Sequence, residues 1–476
     1  MTRVSSVRRT VASVGVALGV VWLVSASPAA AGRHEAPGFR PLVFVDVNVV
    51  PMDSDRVLEH QNVVVRGDRI EAVGPKSSTR VPRGSLRIDG RGLWLMPGLI
   101  DMHVHLNDPQ DGAVYVANGV TTVRSMWGFP ETLEWRNEYV AGKRLGPTVY
   151  TAGTILDGNP PIWPGSKVIE TPEEADSEIV AEKAAGYDFV KVYSRLSRRG
   201  YAAILDAAKR HGMRVVGHVP DSVGVLGVLE ARRQESIEHL TGYLTAAQKD
   251  GSPGATISNG NERRRVMVSN IDEAKIPELA RKTRDAGVWS CVTLIVGKRV
   301  SELDHADSLM KMPTVKYVAR EMVAVWDPSK DFRFKEATSE DYAAMRSMTA
   351  FQMRMTRALR DSSARILLGT DASNPFVVPG FSVHEELALL VASGLTPYEA
   401  LRAGTADAAE FLHAEIGRVR KGMRADLILV DGNPLKDVHA ASRRRGVVLR
   451  GGWIPASELD EALEVVAKNH ASETAH

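Results

Sequence analysis

The alternation of short apolar runs with longer helix-type segments, between residues 97 and 412, constrains the fold of this chain more than any other feature. Short apolar runs are typical of buried strands, and strands that alternate with helices form a parallel sheet. Eight candidate strands in roughly 310 residues predict the α/β class and, within it, a closed (β/α)8 TIM-type barrel. The candidate strands are residues 99–105, 121–125, 148–151, 189–193, 214–218, 236–239, 288–296 and 366–371.

Helix-type segments separate these strands. The stretch between the last two strands is long and rich in helix-type sequence, and we expect it to cover the mouth of the barrel. The clearest helical segments are residues 172–185, 199–211, 276–286 and 342–362.

Both ends of the chain are rich in β-type sequence. Runs at residues 42–50, 62–65, 69–73 and 86–89 are divided by glycine-containing turns, and a matching set lies at residues 425–430 and 445–450. This arrangement predicts a small composite β-sandwich domain made from residues 41–96 and 413–455, around a barrel domain at residues 97–412. Two unrelated sheets are the alternative.

Residues 1–31 have the pattern of a secretory signal peptide. Arg3, Arg8 and Arg9 precede an uncharged run at residues 11–24, and small residues follow. The run is shorter than the roughly twenty residues that a membrane span needs, although an uncleaved anchor helix and a twin-arginine signal remain alternatives. We expect cleavage after Ala31, no membrane span after cleavage, and export to the periplasm or the extracellular space.

The composition excludes several classes of protein. Lys and Arg number 60, Asp and Glu number 58, and the formal net charge is only +2, so nothing indicates a nucleic-acid partner. The single cysteine, Cys291, excludes an intrachain disulfide framework and any cysteine-rich zinc or iron–sulfur site. The expected partner is a small-molecule substrate, and a homo-oligomer remains possible.

Histidine and aspartate side chains follow the ends of several predicted strands. Because side chains alternate along a strand, His103 and His105 point to the same side, toward the barrel mouth where active sites lie. Unrelated capping or core groups are the alternative, but imidazoles are poor core fillers. The strand-end set is His103, His105, His218, His239 and Asp371.

Lys191 lies inside the apolar run of residues 189–193. A lysine in a buried strand is costly unless it is solvated, paired or modified. Its neutral amine could take up carbon dioxide to form a carbamate, whose two oxygens can bridge two cations. A structural lysine paired with Asp371 or another acid is the alternative.

These residues resemble the amidohydrolase superfamily in its binuclear form with a carboxylated lysine. The run Met-Pro-Gly-Leu-Ile-Asp-Met-His-Val-His at residues 96–105 is similar to the first-strand motif of that superfamily, and residues 422–427 resemble its returning β-domain. Residues 382–408 resemble the imidazolonepropionase-related branch, which includes prolidase-like dipeptidases.

The resemblance implies a set of roles for the site residues. One metal would be held by His103, His105 and Asp371, the other by His218 and His239, and a carboxylated Lys191 and a hydroxide would bridge the two. Two zinc ions are the expected cofactors, with manganese or cobalt as alternatives. Asp371 would be the catalytic proton shuttle.

The resemblance also implies a function. We expect a secreted metal-dependent amidohydrolase that cleaves a small amide, such as a dipeptide or an N-acyl amino acid. A lactonase or an organophosphate-type esterase is the alternative, and a non-enzymatic scaffold would be expected to lack ligands. Tyr193 and His384 are candidate substrate contacts. The alternative for Tyr193 is packing in the core, and the alternative for His384 is packing at the start of a helix.

Overall fold

A computed structural model describes residues 40–257 and 259–472. The predicted signal peptide lies outside the described residues. The strands are, in chain order, β1 Leu42–Val49, β2 Leu58–Arg66, β3 Arg69–Pro75, β4 Leu86–Asp89, β5 Leu93–Pro97, β6 Leu99–Val104, β7 Val120–Ser125, β8 Thr148–Asp157, β9 Lys167–Val168, β10 Phe189–Val192, β11 Arg214–Gly217, β12 Gln234–Glu238, β13 Trp289–Cys291, β14 Ile366–Leu367, β15 Leu427–Asp431, β16 Arg444–Leu449 and β17 Gly452–Pro455.

Helices connect most of the strands after β6. Among the described residues, no helix combines the length and the apolar character that crossing a membrane requires. The α-helices are α1 Asp111–Ala117, α2 Pro130–Val140, α3 Pro172–Ala185, α4 Arg198–His211, α5 Gly224–Ala231, α6 Tyr243–Ala246, α7 Gly260–Ser269, α8 Lys275–Ala286, α9 Leu294–Ser301, α10 Ala306–Leu309, α11 Arg320–Ala324, α12 Ser339–Asp361, α13 Phe381–Ala392, α14 Pro397–Ala403, α15 Ala406–Phe411 and α16 Ala456–Ser472. Short 3-10 helices lie at Pro253–Thr256, Leu303–His305, Val315–Tyr317 and Val438–Ser442.

Eight parallel strands form the predicted barrel. Their order is β6-β7-β8-β10-β11-β12-β13-β14, and β9 pairs with β8 outside this path. Backbone hydrogen bonds join the first strand to the segment that directly follows the last one: Met102 N donates to Leu368 O at 2.9 Å, and Asp371 N donates to His103 O at 2.7 Å. The prediction of a (β/α)8 barrel is therefore confirmed.

Two predicted strands are shorter than the sequence indicated by more than one residue. The run 288–296 was predicted as one strand, but β13 ends at Cys291 and α9 begins at Leu294. The carboxylate of Glu386 accepts hydrogen bonds from the backbone N–H groups of Leu294 and Ile295, at 2.9 and 2.7 Å, and so caps the new helix. Because an apolar run suits both a strand and a buried helix, this distant carboxylate decides between them.

The last strand also ends early. The prediction extended it to Asp371, but β14 covers only Ile366–Leu367. Asp371 lies four residues beyond the end of this strand and adopts a left-handed backbone conformation with φ of 62°, which is incompatible with an extended strand at this position.

The two ends of the chain form one eight-stranded sheet, as predicted for a composite domain. Its order is β17-β16-β15-β5-β1-β2-β3, with β4 beside β1, and β15 pairs antiparallel with β5. Three strands separate β1 from β17 in this order, yet the rings of Phe44 and Trp453 lie 5.5 Å apart. The sheet therefore folds over an apolar core of its own.

The insertion, defined here as residues 302–338, lies between α9 and α12. Its Trp326 and Phe334 belong to an apolar core that the insertion shares with α12 and with the loop after β14. The indole N–H of Trp326 donates to the backbone oxygen of Ser373 at 3.2 Å, which ties the insertion to the loop after β14. Since residues of the insertion line the cavity at the barrel mouth, the expectation that this stretch covers the mouth is confirmed.

Candidate metal centre

The ends of the first and last barrel strands bring three predicted residues into contact. The imidazole rings of His103 and His105 lie 5.5 Å apart. Oδ1 of Asp371 lies 3.3 Å from Nε2 of His103 and 3.0 Å from Nε2 of His105. The closure of the barrel, which places β14 beside β6, therefore assembles this half of the site.

The ends of β11 and β12 bring two more histidines to the same place. The ring of His239 lies 4.4 Å from that of His103 and 5.0 Å from that of His218. One ligand atom from each of His103, His239 and Asp371 lies within 4.8 Å of the other two, a spacing that could hold a metal ion. The structure thus brings together all five strand-end residues that the sequence indicated.

Lys191 enters the same cluster from β10. Its side chain is 1% exposed, and it forms no hydrogen bond or ion pair with any residue that the structure describes. Burial lowers the pKa of its amine to about 8, although Asp371 and Glu238 act in the opposite direction. The neutral amine that carbamate formation needs is therefore accessible, and the alternative of a direct ion pair with Asp371 is absent from the described residues.

The four imidazoles are in an environment that keeps them neutral. Burial lowers the pKa of His103 and His218 well below the ordinary value, and it lowers those of His105 and His239 as well. Burial alone would raise the pKa of Asp371, but the neighbouring histidines and Lys191 outweigh it and lower that pKa. Neutral imidazoles and an ionised carboxylate are the forms that bind metals.

Three buried polar atoms of the cluster make no hydrogen bond with the described residues: Nε2 of His103, Nδ1 of His105 and Oδ1 of Asp371, although this oxygen lies within 3.3 Å of two imidazole nitrogens. Buried polar atoms almost always have a partner, so an unpaired group of three requires one. Nitrogen and oxygen donors at this spacing suit a divalent cation such as zinc. The residues present therefore fit the metal centre that the resemblance implies.

A set of supporting groups behind the histidines was missed by the sequence reasoning. Nδ1 of His103 donates to the carboxylate of Glu238 at 2.7 Å, and Nη2 of Arg124 donates to the same carboxylate at 2.9 Å. The Nδ1 atoms of His239 and His218 contact Thr293 Oγ1 at 2.7 Å and Ser194 Oγ at 3.0 Å. Each contact engages one nitrogen of its ring and so helps to fix the orientation of the imidazole.

Charged residues inside apolar strands are the sequence signal that could have predicted part of this supporting set. Glu238 directly precedes His239 in the predicted strand 236–239, and Arg124 lies in the predicted strand 121–125. A buried charge is costly without a partner of opposite sign, so two of them in neighbouring barrel strands predict a pair.

The two candidate substrate contacts lie in different places. The ring of Tyr193 lines the cavity and stacks on His218 at 3.9 Å, and its oxygen accepts a hydrogen bond from Nε1 of Trp163 at 2.8 Å. His384 is not among the residues that line the cavity; its Nε2 donates to the backbone oxygen of Asn118 at 3.1 Å. The geometry thus places Tyr193 beside the substrate space and His384 in a packing position on α13.

A cavity of about 550 Å³ opens above the cluster. The insertion forms one side of it, and aromatic rings contribute much of the wall. The residues from the cluster that line it are His105, Lys191, His218, His239 and Asp371, and the aromatic residues are Trp127, Trp163, Tyr193, Trp326 and Phe332.

The chain is similar to proteins of one enzyme family. It is 23% identical over 492 residues to ochratoxinase from Aspergillus niger, covering 94% of this chain and 95% of that protein. It is 23% identical over 410 residues to imidazolonepropionase from Streptomyces coelicolor, covering 82% of this chain and 90% of that protein.

Solved structures share the fold. A bottromycin amidohydrolase matches with a TM-score of 0.74 and 23% identity over 91% of each chain. A Xaa-Pro dipeptidase with bound methionine matches with a TM-score of 0.63 and 19% identity, over 87% of this chain and all of that one (100%). The model of the Amidohydrolase family matches residues 94–454, which include the whole barrel and every residue of the cluster. The chain therefore belongs to the amidohydrolase family, and the expectation of a hydrolase of this type is confirmed.

Proposed function

We propose that this chain hydrolyses a small amide with the help of two divalent cations, zinc being the first choice. His103, His105 and Asp371 would hold one cation and His218 and His239 the other, with the carbamate of Lys191 between them. When bound, the cations would lower the pKa of a shared water, so that hydroxide is available near neutral pH, and would polarise the substrate carbonyl.

One observation carries this proposal: six chemically suitable side chains from five barrel strands or their ends converge beside one cavity, which five of them line, and three of their buried polar atoms make no hydrogen bond within the described part of the chain. A purely structural role would give these atoms hydrogen-bond partners, because unpaired burial is costly. Lys191 is buried and forms no direct ion pair with a described residue, which adds to the same argument.

The proton transfers follow from the position of Asp371. Its ionised carboxylate would take a proton from the water that adds to the carbonyl carbon, and would return it to the leaving nitrogen as the C–N bond breaks. The products are a carboxylate and an amine. The hydroxyl of Tyr193 accepts from Trp163, so its own proton is free to be donated toward a substrate oxygen.

The choice of an amide rests on the nature of the structural relatives. Two of the solved proteins that share this fold are described as an amidohydrolase and as a Xaa-Pro dipeptidase. A lactone presents the same carbonyl to the same centre, and an assay that includes lactones therefore tells the two functions apart.

The test uses the chain from residue 32 onward, produced with zinc and bicarbonate. We expect about two zinc ions per chain and hydrolysis within a panel of dipeptides and N-acyl amino acids. The Asp371→Asn variant, purified in parallel, shows that any turnover comes from this site. Turnover of lactones alone would show that the substrate is an ester and not an amide. A chain that binds no metal would overturn the proposal.

We also propose that the chain is exported and cleaved after Ala31, on the basis of the sequence of residues 1–31 alone. Production of the full chain in a bacterium, followed by fractionation and N-terminal sequencing, tests this. Residue Gly32 at the start of the protein in the periplasm or medium is the expected result, and an intact Met1 in the cytoplasm contradicts it.

A further inference from the structure

A row of aromatic rings leads away from the metal-binding cluster along the cavity wall. The ring of Trp127 lies 6.4 Å from that of His105, Trp163 lies 6.4 Å from Trp127, and Phe332 lies 5.5 Å from Trp163. The three residues come from the end of β7, the loop after β8 and the insertion. Separate parts of the chain thus place three rings in one continuous surface beside the reacting centre.

Phe332 is a large apolar residue that stays exposed within the cavity. Its side chain is 59% exposed, whereas Phe334, two residues later, is 6% exposed in the core of the insertion. The two side chains thus have different surroundings, and the ring of Phe332 makes a T-shaped contact with that of Trp163. An exposed aromatic ring inside a cavity is typical of a ligand-binding surface.

Trp163 is held in place from two further directions. Its indole N–H donates to the oxygen of Tyr193 at 2.8 Å, and the guanidinium of Arg333 lies 5.1 Å from its ring centroid. Arg333 is itself fixed by Asp331, whose oxygen accepts from Nη2 at 2.6 Å. A ring with this many restraints offers a rigid platform, which loses little conformational entropy when a ligand stacks on it.

We propose that Trp127, Trp163 and Phe332 form a subsite for a planar aromatic group of the substrate, so that the preferred amides carry an aromatic ring rather than a small aliphatic side chain. This inference rests on the proposed function for the reaction itself. It does not need turnover for its test, because the subsite should bind the aromatic part of a product.

The test compares three probes by isothermal titration calorimetry on the zinc-loaded protein: phenylalanine, cyclohexylalanine and alanine, which are free amino acids of the kind that the proposed hydrolysis would release. The cyclohexyl probe has nearly the size of the phenyl probe but lacks a flat π-system. We expect the phenyl probe to bind at least about fivefold more tightly than either of the others, as aromatic contacts of this kind contribute beyond area burial.

The Phe332→Ala variant should weaken binding of the phenyl probe about five- to tenfold and leave the alanine probe unaffected. Met310→Ala is the matched control, because Met310 is a 46% exposed apolar residue of the insertion that does not line the cavity. Equal affinities for the phenyl and cyclohexyl probes, no binding of any probe, or an unchanged phenyl affinity in Phe332→Ala would each overturn the subsite. Tight phenyl binding without hydrolysis of any amide would leave the subsite standing and reject the proposed function instead.

Discussion

The hydrogen bond between His103 and Glu238 makes it possible to test how the candidate metal ligands are held in place. Glu238 is fully buried, accepts the Nδ1 proton of His103 at 2.7 Å and pairs with the buried guanidinium of Arg124 at 2.9 Å. The Glu238→Gln variant keeps the volume of the side chain but removes the counter-charge of Arg124. Breaking one partner of a buried ion pair costs about 3–5 kcal/mol of unfolding free energy. Loss of the carboxylate behind a metal-binding histidine lowers metal affinity about 10- to 100-fold.

Two measurements separate these effects. Urea denaturation of the metal-free protein measures the loss of stability, and zinc titration against a chromophoric chelator measures affinity. Glu235→Gln is the matched control, because Glu235 lies on the same strand but is 40% exposed and pairs with Arg214. A surface pair contributes about 0–1 kcal/mol. The reasoning is refuted if Glu238→Gln is as stable as Glu235→Gln and binds zinc with the affinity of the unmodified protein.

Three further outcomes are expected. Asp371→Asn should lower kcat by about 10²- to 10⁴-fold, the usual contribution of a proton-transferring group, while part of the zinc remains bound. Steady-state kinetics measures the first effect and elemental analysis the second. Undiminished turnover would contradict the role of Asp371. Lys191→Ala should lose zinc and regain it when propionate is supplied in place of the carbamate, and a full zinc content without propionate argues against a bridging role. Burial lowers the pKa of His384 from 6.5 to about 4, so between these values the unfolded chain binds a proton that the folded protein does not. The destabilisation due to His384 is therefore absent above about pH 6.5, and the free energy of unfolding decreases as the pH falls toward about 4. Over this range the urea midpoint should fall less in His384→Gln than in the unmodified protein. Equal slopes of the urea midpoint against pH in the two proteins would exclude His384 as the cause.

The barrel and the positions of the six cluster residues could be predicted because strand ends combine two independent signals. An apolar run predicts a buried strand, and a polar side chain directly after it lies at the rim, where the carboxyl ends of all parallel strands meet. His218 and Asp371 are far apart in the sequence, but each follows such a run. The roles of these residues as metal ligands remain predictions.

Other features could not be predicted, because they depend on contacts between distant parts of the chain. The helix that begins at Leu294 depends on Glu386, which is invisible in the run 288–296 itself. The aromatic surface depends on where the insertion folds, and nothing in the sequence around Phe332 distinguishes it from Phe334. The packing position of His384 similarly depends on the backbone oxygen of Asn118, which α1 brings beside α13.

The closure of the barrel has a consequence for biosynthesis. The first strand meets the last strand at the reacting centre, and the β15 strand, made later still, completes the sheet begun by β1–β5. A ribosome that has reached residue 360 has already polymerised five of the six cluster side chains, yet Asp371, the sealing strand and the neighbour of β5 are still missing. A polypeptide that ends before Asp371 therefore lacks one member of the cluster and the strand that closes the barrel, so the site is complete only when most of the chain has been translated.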